Sequence, residues 1–302
     1  MSVVTDADEA AEREIAARLR KAYPSALIVG EEAAGRDPGL LAQVATADLA
    51  FIIDPIDGTK NFASGLPLFG VMAAATVRGE VVMGAIHDPV CQDTSFAVRG
   101  EGAWKHGPGR QPTSLKVAEA VPLAEMQGVV GTNFLPEPLR TTVARNLSHL
   151  ALNFWLRCAA HEYRMMADGH CHLLVYNRLM PWAHAAGWLL HHEAGGYSAR
   201  FDGSPYLPTH TSGGLILAID RHAWELIRDA LLGAPLKRDR RVRPLPDPRR
   251  GQTRRRLVAL RPAPPPDCAP GAWPGRGPGR CGRSSIQPRS GLRWECWHAR
   301  RC

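Results

Sequence analysis

No stretch of the 302 residues approaches the roughly 18 apolar residues a membrane-spanning helix needs, and the N-terminus lacks the basic-then-apolar layout of a secretory leader. Both absences make the cytoplasm the expected location. Cysteine is sparse, seven in all. Cys91, Cys158 and Cys171 stand isolated and are expected to pack as small hydrophobes, while Cys268, Cys281, Cys296 and Cys302 fall at spacings unlike a zinc site. A disulfide framework is excluded.

With 45% hydrophobic residues, a chain of this length can bury the core of one large or two small globular domains. The average conceals two unlike parts. Residues 236–302 hold 18 Lys/Arg and 4 Asp/Glu, a net +14, whereas residues 1–235 hold 19 and 25, a net −6. The sequence pI of 9.4 is thus a property of the tail, and whole-chain basicity is no argument for nucleic-acid binding. The tail also carries 11 of the 25 prolines, with no apolar periodicity, so disorder is the physical expectation. Translating a GC-rich gene out of frame gives the same composition. That reading stands ahead of a genuine arm that binds RNA or phospholipid surfaces through salt-sensitive contacts.

Residues 6–22 read as an amphipathic helix with Ala10, Ile15, Ala16, Leu19 and Ala22 on its apolar face, and Thr5 and Asp8 are spaced as in a capping box. A short strand over 25–29 delivers Gly30, Glu31 and Glu32; residues 36–43 read as surface loop. Residues 68–77 and 81–86 form a hairpin about Arg78-Gly79-Glu80, and 94–98 adds a strand to an antiparallel sheet. From 128 onward, strands at 128–131, 153, 172–176 and 214–219 alternate with helices at 139–150, 160–167, 182–193 and 223–232. Such alternation argues for α/β layers.

The most informative stretch follows the apolar run Ala50-Phe51-Ile52-Ile53, a buried strand in prospect. It is Asp54-Pro55-Ile56-Asp57-Gly58-Thr59, with Lys60, Asn61 and Phe62 behind it. Strand ends are where open α/β sheets place chemistry. Pro55 fixes the backbone between two carboxylates, Gly58 allows a tight turn, and Thr59 caps a following helix whose free N–H groups would face the same space. Such a place can hold hard cations and a phosphate together. The plain alternative is a turn rich in Asp, Gly and Pro for conformational reasons alone. Weighing against it are the preceding strand, the pair Glu31-Glu32, and Pro181-Trp182-Ala183-His184-Ala185-Ala186-Gly187.

On these residues the chain resembles the inositol monophosphatase family, the magnesium-dependent, lithium-sensitive phosphomonoesterases. The family pattern D-P-x-D-G-T-x-N-F is met without mismatch at Asp54 to Phe62, G-E-E at Gly30 to Glu32, and E-A-G-G at Glu193 to Gly196. The similarity runs from about residue 5 to about residue 232. It implies an α/β fold, the five-layer αβαβα sandwich of the inositol monophosphatase/fructose-1,6-bisphosphatase type. The site would lie at the junction of two halves, about 1–125 and 126–235. It further implies two or three Mg²⁺ ions, replaceable by Mn²⁺, a small phosphate monoester as substrate, and a homodimer. Carried over from the family, Glu31 and Asp54 hold the first metal with the Ile56 carbonyl, Asp54 and Asp57 share the second, and Glu32 supports them. Thr59, Glu31 and Asp8 orient the attacking water, and the N–H groups of Gly58 and Thr59 receive the phosphate. Taken alone, Asp8 reads as a helix cap.

The chain departs from the family in three places. Its members have a long helix and a short strand before the T-x-x-D at Thr5 to Asp8, whereas Met1 stands four residues before Thr5, so the first helix is expected to be missing. The aspartate of P-W-D-x-A-A-G is Ala183, and a methyl group cannot coordinate magnesium. The second metal, and turnover with it, is expected to be impaired. His184 is a poor substitute, since the next helical position points about 100° away and imidazole is a soft ligand for Mg²⁺. Where inositol-binding members carry a glutamate, seven residues before that aspartate, this chain has Tyr176. Arg157, His161 and Tyr176 are candidates for the leaving-group pocket, and His161-Glu162-Tyr163 read equally as lining of that pocket or as a buried polar cluster. Histidinol phosphate or a nucleotide would suit Arg157 and His161. A phosphate-ester-binding protein without turnover is the alternative to an enzyme.

Overall fold

In the computed structural model, which describes residues 5–233, helix α1 (Asp6–Ala22) begins at the capping box, with the Asp8 carboxylate accepting the Thr5 N–H at 2.8 Å. The readings attached to residues 236–302 lie outside the described residues. The inward face of α1 differs from expectation: Ala10 and Ala22 are exposed, while Asp8 and Glu12 are buried with Ala16. The cause is polar. Glu12 accepts the N–H groups of Glu32 at 2.8 Å and Ala33 at 3.0 Å, which open helix α2 (Glu31–Arg36) and have no partner within it.

The first sheet takes seven strands in chain order, β1 (Leu27–Gly30), β2 (Ala50–Asp57), β3 (Gly70–Val77), β4 (Glu80–Asp88), β5 (Asp93–Val98), β6 (Gly102–His106) and β7 (Thr113–Ser114). Only β1 and β2 are parallel, and the rest is an antiparallel meander. The short helix α3 (Gly39–Gln43) occupies most of the stretch read as loop, and α4 (Thr59–Ala63) follows β2. In the second sheet the order is β11 (Tyr197–Arg200), β12 (Leu215–Ala218), β10 (Leu173–Tyr176), β8 (Gln127–Val130), β9 (Leu152–Phe154). Its β10, β8 and β9 run parallel, and β12 is antiparallel to both of its neighbours. Strands β6 and β11 escaped the sequence reading. They are four or five residues long, and their pairing is set by neighbours rather than by their own pattern.

Helices α6 (Ala159–Ala167) and α7 (Pro181–Glu193) pack between the sheets, touching β3 and β4 on one side and β10 or β11 on the other. Helix α1 covers the outer face of the first sheet at β1 and β2. Helices α5 (Leu139–Asn146) and α8 (Arg221–Leu232) pair outside the second sheet, α8 lying on β11 and β12. The result is the αβαβα sandwich. Strand β2 is buried on both faces, Phe51 meeting Tyr23 beyond the end of α1 at a 5.1 Å ring separation and Ile52 joining the central core. Among the described residues no helix is long and apolar enough to cross a membrane.

The middle layer is held tight by a glycine. A Cβ on Gly187 of α7 would stand 2.1 Å from the ring of Tyr163 on α6, and Tyr163 is fully buried. Gly187→Ala is therefore expected to cost about 1–3 kcal/mol and to lower the melting temperature by several degrees in a circular-dichroism melt. An unchanged melt would show that α6 and α7 are free to separate.

Candidate active site

Asp54 and Asp57 stand three positions apart, and in an uninterrupted strand such a spacing sends side chains to opposite faces. Here the pairing of β2 with β3 passes from Asp54 opposite Met72 to Asp57 opposite Gly70, three steps against two. The bulge contains Pro55, which has no N–H to give the ladder. It brings both carboxylates to one cavity of about 500 Å³, where Glu31, at the first position of α2, joins them. Gly58 then turns the chain at φ +88°, and a Cβ there would press on the Leu68 carbonyl at 2.8 Å.

Crowding acids in a dry place is electrostatically unfavourable, and the groups respond by holding protons. Burial, then the charges of Glu32, Asp57 and Asp8, push Glu31 up to about 7. Burial and the charge of Asp57 raise Asp54 well above the usual carboxylate range. Asp54 is 2% exposed, and its Oδ1 is buried with no hydrogen-bond partner. For Asp57 burial again dominates and lifts it to about 6, against the pull of the Ala160 N–H, which its Oδ2 accepts at 2.6 Å. Asp57 thereby caps α6 from the first sheet.

Hard anionic oxygens with one buried orphan fit a divalent cation at Asp54 and Glu31. They do not amount to a finished cage: among the described residues no three His, Cys, Asp or Glu side chains are already gathered as one. Ala183 lines the cavity with a methyl group. His184 beside it has both ring nitrogens engaged, Nε2–H donating to the Arg178 carbonyl at 2.9 Å and Nδ1 accepting the Tyr163 hydroxyl at 3.1 Å. Burial pushes its pKa down to about 4. His184 is therefore a neutral structural residue with no lone pair to offer. The oxygens present fit a divalent cation at Asp54 and Glu31, and position 183 adds no ligand atom.

Of the other predicted site residues, Thr59 and Gly58 line the cavity, and Asp8 stands behind them. The Thr59 hydroxyl lies 3.0 Å from the Ile56 carbonyl and 3.4 Å from Asp8 Oδ1, so its proton goes to the nearer oxygen. Arg157 and Tyr176 line the cavity too. Arg157 adopts φ +55° and binds Asn61 Oδ1 through Nη2 at 2.7 Å. His161 is not among the lining residues: its Nε2–H donates to the Phe69 carbonyl at 3.1 Å, and Nδ1 accepts from Arg164 at 3.4 Å. There it joins Asp88, which two backbone N–H groups and Arg164 hold down to about 2 despite its burial. One position further along α6, Glu162 reaches the cavity instead, accepting the Tyr176 hydroxyl at 2.9 Å and the Leu156 N–H at 3.1 Å.

Sequence reasoning missed the structural roles of two residues at the site, Glu12 and Asn61. Glu12 orients α2 and with it Glu31; its only signal was a place four residues after Asp8, on the same helical face. Asn61, 1% exposed, ties the Leu68 and Leu156 carbonyls together with its Nδ2 and takes Arg157 on its Oδ1. Glu162, which the sequence left open between pocket lining and a buried polar cluster, lines the cavity, and burial lifts it to about 7. Of the cysteines, Cys158 and Cys171 are buried as expected and Cys91 is exposed.

The chain matches the model of the inositol monophosphatase family over residues 1–231. It is 34% identical over 208 residues to the fructose-1,6-bisphosphatase/inositol-1-monophosphatase of Thermotoga maritima, covering 67% of this chain and 72% of that protein. To the Nus factor SuhB of Pasteurella multocida it is 34% identical over 235 residues, 74% of this chain and 80% of the relative. Among solved structures it superposes on 2'AMP-bound SaIMPase-II with a TM-score of 0.66 at 25% identity, covering 76% of this chain and 84% of that one. The extragenic suppressor protein suhB of Bartonella henselae gives 0.65 at 28% identity over the same shares. The chain belongs to the inositol monophosphatase family of phosphomonoesterases.

Proposed function

We propose that the chain is a magnesium-dependent hydrolase of small phosphate monoesters whose second metal position is impaired by Ala183. The observation that carries this reading is the buried, unpartnered Oδ1 of Asp54 in a cavity shared with Glu31 and Asp57. Glu31 and Asp54 would hold the first ion with the Ile56 carbonyl, and Mn²⁺ could replace Mg²⁺ there; Asp57 and Asp54 are what remains of the second set. When bound, Mg²⁺ supplies Lewis-acid polarisation of the phosphoryl group and a lowered pKa for an attacking water. Thr59, oriented by the Ile56 carbonyl and Asp8, positions that water together with Glu31. The backbone N–H groups of Gly58 and Thr59 receive the phosphate at the start of α4.

On this reading the protein works as a cytoplasmic homodimer. An inositol leaving group is disfavoured by Tyr176, whose hydroxyl is committed to Glu162. A nucleotide is supported by the 2'AMP bound to the related SaIMPase-II. The second reading, a protein that binds phosphate esters without turnover, is favoured by Ala183 and by the engaged nitrogens of His184.

Restoring the missing carboxylate separates the two. If the second ion contributes ~4 kcal/mol to the barrier, Ala183→Asp raises phosphate release about 10³-fold. Equal rates in both forms would remove position 183 from the ligand set. The acids also set a pH dependence. Glu31 and Asp57 keep their protons to about 7 and about 6 in the folded chain, against 4.5 and 3.8 for the free side chains. The metal-free fold thus binds more protons than the unfolded chain across that window, and its stability falls as pH rises from about 4 to about 7. Mg²⁺ displaces the same protons. Its stabilisation, read as a melting-temperature increase at saturating Mg²⁺, is expected to be near zero at about pH 5 and several degrees at about pH 8. An increase independent of pH would place the ion elsewhere.

A further inference from the structure

The cavity is built from both sheets, and the second contributes something the phosphate chemistry does not use. Strands β9, β8 and β10 lie side by side and parallel, so the residues beyond their C-terminal ends emerge together at one edge. Past β9 comes Trp155, past β8 comes Phe134, and past β10 comes Arg178; all three line the cavity. Trp155 is 56% exposed and Phe134 62%, among the most exposed large apolar residues described. Two such rings on the rim of one cavity form an apolar patch that the fold leaves to water. Phe134 is backed by the guanidinium of Arg178 at 5.6 Å from its centroid, which fixes one ring and leaves the other side open. Glycerol- or inositol-like alcohols would need hydrogen-bonding groups here, and two polar side chains of the cavity wall are engaged elsewhere: Tyr176 with Glu162, and Arg157 with Asn61.

We propose that Phe134 and Trp155 form a stacking platform for a flat aromatic ring carried by the leaving alcohol, which makes aromatic phosphate monoesters the substrate class. This rests on the phosphomonoesterase reading of the same cavity. Gly58 and Thr59 line the same cavity as the two rings, so an ester whose acid end is held at the carboxylate side, contributed by the first sheet, can present its ring to the rim contributed by the second. Arg178 adds positive charge on the rim, and stacking against both ring and guanidinium tolerates purines and simple phenyl rings alike.

Calorimetry on the full chain in Mg²⁺ tests it with four probes: inorganic phosphate, glycerol 2-phosphate, phenyl phosphate and 2'-AMP. Phenyl phosphate is expected to bind about tenfold more tightly than glycerol 2-phosphate, the size of one good stacking contact. The ratio should fall to about one in Phe134→Ala/Trp155→Ala, with affinity for inorganic phosphate unchanged, and should survive in Trp155→Phe. Both rings are exposed, so these variants keep the core intact. Tight binding of 2'-AMP but not phenyl phosphate, lost in the double alanine variant, would narrow the class to nucleotides and support the platform. Equal binding of phenyl and glycerol phosphates, or a ratio untouched by the double variant, overturns the platform and leaves the phosphatase reading standing. Failure of inorganic phosphate to bind overturns both. A change of oligomeric mass in the double variant, without a change in ligand preference, reassigns the two rings to a contact between copies and overturns the platform.

Discussion

Like charges forced together without water are the constraint from which the rest of this protein follows. Asp54 lies near the end of the buried strand β2 with an oxygen that no described residue satisfies, and Asp57, Glu31 and Asp8 all raise the cost of ionising it. A soluble fold has cheaper residues for such a position, because an apolar side chain of similar size carries no desolvation penalty. A cation turns the same arrangement from a liability into a site. The phosphate-ester chemistry of the family needs that: a negatively charged ester can approach this cluster only when a metal offsets it.

The fold delivers the acids by backbone devices more than by side-chain contacts. A bulge at Pro55 puts Asp54 and Asp57 on one side of β2. The carboxylate of Glu12 holds the first turn of α2, and Gly30 leaves room for it, since a Cβ there would fall 2.1 Å from Glu12 Cδ. Asp57 is tied to α6 through Ala160, so the middle layer and the first sheet share one hydrogen bond at the site. The same α6 sends His161 to the first sheet and Glu162 towards the second, a difference of one residue that decides which of them lines the cavity.

Much of this was legible in the sequence, for reasons specific to each element. The apolar run before Asp54 marks β2 because continuous hydrophobicity implies burial on both faces, and the Pro-Gly punctuation marks where it stops. The capping box of α1 was readable because its partners are three residues apart. The inward Glu12 was not, because its partners lie 20 and 21 residues away, and helical periodicity treats a carboxylate as surface. His161 stayed open between pocket lining and a buried polar cluster for the same reason, and only the packing of α6 shows it turned to Phe69 and Arg164. Strands β6 and β11 carry little pattern of their own. The loss at Ala183 was visible from the family pattern alone, whereas the engagement of both His184 nitrogens required the fold.

The central claim is that Glu31 and Asp54 together clasp one divalent ion in a cavity where Ala183 leaves a second ion poorly held. Anomalous diffraction from a crystal soaked in Mn²⁺ tests it most directly. The expected map has one strong peak in contact with both carboxylates and a weak peak or none beside Ala183. A map with no peak touching Glu31 and Asp54 together would contradict it.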